Sequence, residues 1–136
     1  MDTLQSIAKI AASGMTAQTA RLRVISENVA NADSTGTTPG EDPFRRKTIS
    51  FSELIDRNSG GSLVEVEDIG RDQSPFRRDY DPAHPAADET GYVKRSNVDP
   101  IIEMANMREA SRNYEANMNM FEAGRRMRSQ MLDLLK

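Results

Sequence analysis

The sequence predicts a mainly α protein with a small β part. Two long helices at the chain ends pair antiparallel in coiled-coil fashion, and a β-hairpin and loop segment joins them. Three observations lead to this. First, both ends carry rows of apolar residues every seven positions: Met1, Ala8, Met15, Leu22 and Val29 with Leu4, Ala11, Gln18 and Ile25 at one end, and Met104, Ser111, Met118, Arg125 and Leu132 with Met107, Tyr114, Phe121, Arg128 and Leu135 at the other. Such rows form a seam that must meet another helix. Second, almost every helix-breaking residue lies between the two ends. Third, 37% of the 136 residues are hydrophobic and none is Trp, a lean supply for a self-contained core.

The first helix is predicted from about Thr3 to Ala32, roughly 45 Å at the α-helical rise. Ala8, Ala11, Ala12, Ser13, Ala17 and Ala20 make part of it small-sided, which permits close helix approach. Gly14 costs about 1 kcal/mol of helix propensity and marks either a tight contact or a soft point. From Asp33 to Gly40 the chain has no large apolar residue and three helix breakers, so it reads as a loop. The segment 44–51 alternates, with Phe44, Ile49 and Phe51 as inward candidates of a strand. Ser52–Asp56 is expected to be a short helical turn before the Asn58–Gly61 break. The segment 62–69 is a second strand candidate, with Val64 and Val66 on one face. Residues 74–80 extend the sheet, and Pro75 restricts that piece to an edge or a strand start. An extended loop over 81–91 precedes a short strand at Tyr92–Lys94. The second helix opens on Asp99 as N-cap, Pro100 in the first position and Glu103 in the electropositive first turn. It runs to about Leu135. The domain reading follows: 1–32 and 98–136 form one helical domain, and 33–97 a β-rich middle segment.

Bulk properties exclude several function classes. The net charge of −3 carries no global field for nucleic acid or a membrane surface. The chain has no cysteine, hence no disulfide or thiol chemistry. No apolar run approaches the ~20 residues of a membrane span. Asp2, Gln5 and Lys9 interrupt any signal-peptide pattern, so export, if it occurs, is expected without a cleaved signal.

Candidate chemistry is thin. His84 with Asp79, Asp81, Asp88 and Glu89 is the one grouping that resembles a metal site, but a single His among loop carboxylates has no ligand spacing. The better reading is a loop without metal, and no cofactor is expected. The basic runs Arg45–Lys47, Arg77–Arg78 and Arg125–Arg128 lack the interleaved aromatics of a nucleic-acid surface; ion pairs or contacts to neighbouring subunits fit better. Arg125 and Arg128 fall on the drawn seam. Either they snorkel or pair with an acid there, or the seam drifts, since a straight helix rotates ~20° per heptad. Gln18 is a polar seam residue of the kind that sets register. The expected helix and subunit interface is therefore Leu4, Ala8, Ala11, Met15, Leu22, Ile25, Val29, Met104, Met107, Tyr114, Met118, Phe121, Leu132 and Leu135. Heptads alone also suit a cytosolic coiled-coil adaptor.

Several motifs narrow this choice. The helix 12–31 ends in Asn28-Val-Ala-Asn31, and Pro43-Phe44-Arg45-Arg46-Lys47 follows. Tyr80-Asp-Pro82-Ala-His-Pro85, Asp88-Glu-Thr-Gly91-Tyr-Val93 and Asn97-Val-Asp-Pro-Ile-Ile-Glu-Met104 come next, and the chain then reads Met107 to Asn117. In this order they resemble the flagellar rod and hook axial protein family, and in particular its proximal-rod members. Phe44 stands where the family has Tyr, and Thr90 where it has Asn. The resemblance spans essentially the whole chain and implies a non-enzymatic subunit of a helical tube, the basal-body rod, which crosses the periplasm and transmits torque to the hook. It also implies export without a cleaved signal through the flagellar type III apparatus. The implied partners are further copies of the chain, FlgB, FlgF and FlgG, with FliE at the base, and neither nucleic acid nor inserted membrane.

Overall fold

The computed structural model describes residues 3–136, so Met1 of the first seam row lies outside the described residues. In chain order the elements are α1 (Thr3–Ala30), β1 (Lys47–Ile55), β2 (Ser62–Arg71), β3 (Arg77–Tyr80), β4 (Tyr92–Arg95) and α2 (Pro100–Leu134). β1 pairs with β2 and β3 with β4, giving two separate two-stranded sheets. Two long terminal helices and a small antiparallel β part match the predicted class.

The chain divides into two compact units. One holds the described part of Met1–Leu22 together with Ile49–Asp68 and Arg108–Lys136; the other holds Arg23–Thr48 and Ile69–Met107.

In the first unit the helices oppose each other in reverse chain order. Gly124 of α2 faces Leu4, Ile7 and Ala8; Asn117 faces Gly14; Glu109 is 3.4 Å from the Arg21 guanidinium. Gly14 is the tight contact, because a Cβ there would sit 2.7–2.8 Å from the Asn117 amide. That amide is itself held, donating 2.9 Å to the Asn113 carbonyl one turn back. Ala11 and Ala17 are buried on α1, and Ala110 on α2.

The hairpin β1–β2 lies against α1. Ser13 Oγ accepts from the Val64 N–H at 3.2 Å, Gly61 abuts Ile10, and the Lys9 ammonium meets Asp56 at 2.7 Å. Contrary to the helical turn expected at 52–56, β1 continues through Ile55. The chain reverses only at 56–61, where Asp56 N–H donates to Gly61 O and Gly60 N–H to Asp56 O, with Gly60 at φ +69°. Ser62 to Glu53, Ser52 to Glu65 and Ser50 to the Asp68 carbonyl bridge the two strands, so ladder pairing overrides the local helix preference of Glu53 and Leu54. Ile49, Phe51 and Val66 are half-buried, whereas Val64 is 40% exposed.

In the second unit β3 and β4 pair antiparallel, Arg77 opposite Arg95 and Tyr80 opposite Tyr92. The Tyr80 and Tyr92 rings meet edge to face at 5.3 Å. Val93, Val98, Val24, Ile25 and Ala32 form the small core here. β3 begins two residues after Pro75, which cannot donate to a ladder. Phe44 precedes β1 rather than joining it: its N–H is taken by Ser34 Oγ. α2 starts as predicted, Asp99 Oδ1 accepting from the Ile101 N–H at 3.0 Å.

Two outcomes test this packing. Gly14→Leu should lower stability by about 2 kcal/mol, read from thermal loss of helicity, and Asn117→Gly in the same chain should recover part of it. Lys9 and the hydroxyl of Ser59 hold the Asp56 carboxyl down to about 2, below its ordinary 3.8. The resulting stability is present above pH 3.8 and is lost as pH falls through about 2. Lys9→Met should flatten that part of the melting-temperature profile; an unchanged profile would rule out the pair as its source.

Candidate assembly surface and helix-end clasp

Arg46 and Lys47, adjacent at the start of β1, bind three other segments of the second unit. Lys47 and Asn28 exchange two hydrogen bonds: the Asn28 amide donates to the Lys47 carbonyl at 2.9 Å and accepts from its N–H at 2.8 Å. Asn28, 1% exposed in α1, thereby acts as one rung of a strand pairing. The Lys47 ammonium pairs with Glu27 and, by that hydrogen bond, holds the Glu27 carboxyl below its usual range. The Arg46 N–H donates to Asn97 Oδ1 at 2.7 Å, and the Asn97 amide donates to the Asp72 and Ser74 carbonyls. The Arg46 guanidinium pairs with Glu103 and lies 3.6 Å from Asp72. Glu103 is fully buried in the first turn of α2, and its Oε2 has no hydrogen-bond partner among the described residues.

The remaining motif residues do local work. Arg45 stacks on Phe76 at 4.3 Å and donates to the Asp72 carbonyl at 3.1 Å; Arg71 lies over Phe44 at 5.4 Å. Arg77 donates to the Ser96 and Ala32 carbonyls. Asn31 caps its own helix end by donating to the Glu27 carbonyl. Gly91 has φ +87°, and a Cβ there would meet the Tyr80 ring at 2.8 Å and Pro82 at 3.3 Å, so both conformation and space demand glycine. Pro85 lies in the exposed turn before buried Ala86. The expectation that Arg45, Arg46 and Arg77 serve surface pairs or neighbouring subunits is corrected for those three: their guanidinium groups are spent on backbone carbonyls, a ring and a buried carboxylate of the same unit.

His84 joins no metal cluster. Its Nδ1 accepts from the Ala86 N–H at 3.0 Å, and its Nε2 lies 3.4 Å from Thr35 Oγ1. Among the described residues no three His, Cys, Asp or Glu side chains come together. No described helix is long and apolar enough to cross a membrane.

The expected interface residues divide into two groups. Ala11 and Ile25 are buried; Leu4, Ala8, Met15, Leu22, Val29, Met107, Tyr114 and Phe121 are half-buried. Met104, Met118, Leu132 and Leu135 are exposed at 58%, 38%, 54% and 80%. The buried row of α2 is not the one containing Met104. It lies one residue earlier, at Glu103, Ala110 and Gly124, with half-buried Asn117 on the same row. On α1 Gly14 and Asn28 are likewise buried where Met15 and Val29 are only half-buried. Gly124 therefore takes the seam position assigned to Arg125, and Arg125 and Arg128 are exposed. Hydrophobic spacing missed this row because it consists of Gly, Ala, Asn and Glu. Small residues three apart on the facing α1 (Ala11, Gly14, Ala17) were the available signal.

The family model described as flagella basal body rod protein matches residues 9–37, and that described as flagellar basal body rod FlgEFG protein C-terminal matches 89–134. The flagellar basal-body rod protein FlgC of Agrobacterium fabrum is 50% identical over 136 residues, covering 100% of this chain and 98% of that protein. The FlgC of Borreliella burgdorferi is 37% identical over 150 residues, covering 98% of each, and that of Bacillus subtilis 37% over 142 residues, covering 93% and 95%. The chain belongs to the FlgC family of flagellar basal-body rod proteins. It is a structural rod subunit of the flagellar basal body and not an enzyme.

The clasp predicts a thermodynamic cycle. Arg46→Met should cost about 3 kcal/mol, because it strands a buried carboxylate, while Arg46→Met with Glu103→Leu should be much less damaging. Chemical unfolding of the single and double variants checks this; additive losses would show that the pair is not coupled.

Proposed function

We propose that this chain is a proximal-rod subunit that polymerises into the helical drive shaft carrying torque from motor to hook. Residues 1–32 and 98–136 form the inner helical domain of the tube wall, paired in coiled-coil fashion, and 33–97 form the outer β-rich segment. The observation that carries this reading is a set of large apolar side chains along α2 that the described residues leave exposed. Met104, Met118, Met120, Met131, Leu132 and Leu135 are all at least 38% exposed. Exposed large apolar side chains in this number suit contact surfaces, and each contributes about 1.5–3 kcal/mol when fully buried.

The fourteen predicted interface residues then serve two purposes. Leu4, Ala8, Ala11, Met15, Leu22, Ile25, Val29, Met107, Tyr114 and Phe121 stiffen the subunit, and Met104, Met118, Leu132 and Leu135 join it to neighbours. Those neighbours are further copies, FlgB, FlgF and FlgG, with FliE at the base of a rod that spans the periplasm. Torque transmission asks for stiffness, which long helices with contacts at many heights supply. Export proceeds through the flagellar type III apparatus without a cleaved signal.

Leu132→Asp tests the outward face. At 54% exposure the change should leave helicity and melting temperature within about 0.5 kcal/mol of the parent. In a flagellated host lacking its own copy it should abolish swimming and remove the chain from isolated basal bodies. Normal swimming would sink the proposal.

A further inference from the structure

Two surfaces of the first unit carry opposite charge and are not satisfied by each other. The hairpin segment Ile49–Asp68 has five carboxylates against one arginine. Asp56 is occupied by Lys9, which leaves Glu53, Glu65, Glu67 and Asp68, all exposed. Glu65 and Glu67 stand two apart on β2 and so share one side of the strand. At the other extreme, residues 125–136 of the chain carry three arginines and one lysine against one aspartate. Arg125 and Arg126, both exposed, line a hollow of about 370 Å³ with Glu122 and Ser129.

The two surfaces are offset along α1. The hairpin touches α1 at Lys9, Ile10 and Ser13. Gly124 faces Leu4 to Ala8, so the residues after it run on past the start of the described α1, away from the hairpin. Each surface also holds exposed apolar residues: Leu54 at 47% and Ile55 at 64% on the hairpin, Met127 at 41% and Met131 at 54% on the helix. An apolar patch rimmed by charge is the make-up of a specific protein contact, and here the complement is present on the same chain.

We propose that the basic end of α2 in one copy docks on the acidic hairpin of a second copy, with Arg125 and Arg126 receiving Glu65 and Glu67. The two patches differ, so the contact is heterologous and propagates from copy to copy rather than closing a pair. Opposite charge sets register and partner choice, and the apolar residues between the charges supply the buried area. This rests on the rod reading above and adds which surfaces meet.

The test uses a flagellated host lacking its own copy. Arg125→Glu with Arg126→Glu should lower the swimming rate by about tenfold or more, since like charges then face each other across the contact. Glu65→Lys with Glu67→Lys should do the same, and the four changes in one chain should restore most of the loss. Independently, because the parent has no cysteine, a tagged copy bearing Glu67→Cys and an untagged copy bearing Arg126→Cys can be co-expressed. A short bis-maleimide should then join them into a covalent dimer in isolated basal bodies. If the unaltered chain is recovered in basal bodies but the quadruple change gives no rescue and no dimer forms, this contact is wrong while the rod reading stands. If the unaltered chain is absent from basal bodies, the rod reading fails and this contact with it.

Discussion

A carboxylate without access to water must be paired, and Glu103 imposes that condition on a whole unit of this protein. Its partner, Arg46, is fixed in place through its own backbone, because Asn97 accepts from the Arg46 N–H and anchors the chain at Asp72 and Ser74. The next residue, Lys47, is locked to the end of α1 by the reciprocal bonds of Asn28. One dipeptide therefore connects the end of α1, the start of β1, the 72–74 turn and the first turn of α2. The core around it is small, Val93, Val98, Val24 and Ile25 among its members. Polar geometry does here what a larger apolar core does in other domains, because a hydrogen bond fixes direction as well as distance.

The first unit is organised by closeness instead. Gly14, Ala11 and Ala17 on α1 meet a face of α2 that includes Ala110, Asn117 and Gly124. Small side chains let backbones approach, and close approach turns the larger residues one position along to the flanks of the seam. That rotation has a functional consequence. Met104, Met118 and Leu132, which a symmetric heptad would spend on the partner helix, stay exposed. Close helix approach thus keeps small residues inside and leaves several large ones outside.

Electrostatics divides along the same line. Arg45, Arg46 and Arg77 turn inwards onto carbonyls, a ring and a carboxylate. The carboxylates of Asp72 and Asp88 are likewise held below their usual range by short-range donors, chiefly the hydroxyls of Ser74 and Thr90. These serve turns. Among the charges left outward, those of the hairpin are mostly acidic and those of the end of α2 mostly basic.

The sequence by itself determined the two helices nearly to the residue, because the apolar repeat, Asp99 with Pro100 and the breakers after Ala32 are local signals. It also determined the family, through motifs in a fixed order. It misplaced the hairpin's first strand at 52–56, where cross-strand bonds from Ser52 and Ser62 outweigh helix preference. It could not show which row of each helix is buried, since a glycine or an asparagine on a seam carries no hydrophobic signal. Nor could it assign Asn28, Asn97, Arg46 and Glu103 to one another, as they lie up to 75 positions apart. Only the tertiary structure decided those matters, because a buried amide or carboxylate is defined by the partner that satisfies it, and the fold alone brings that partner within reach.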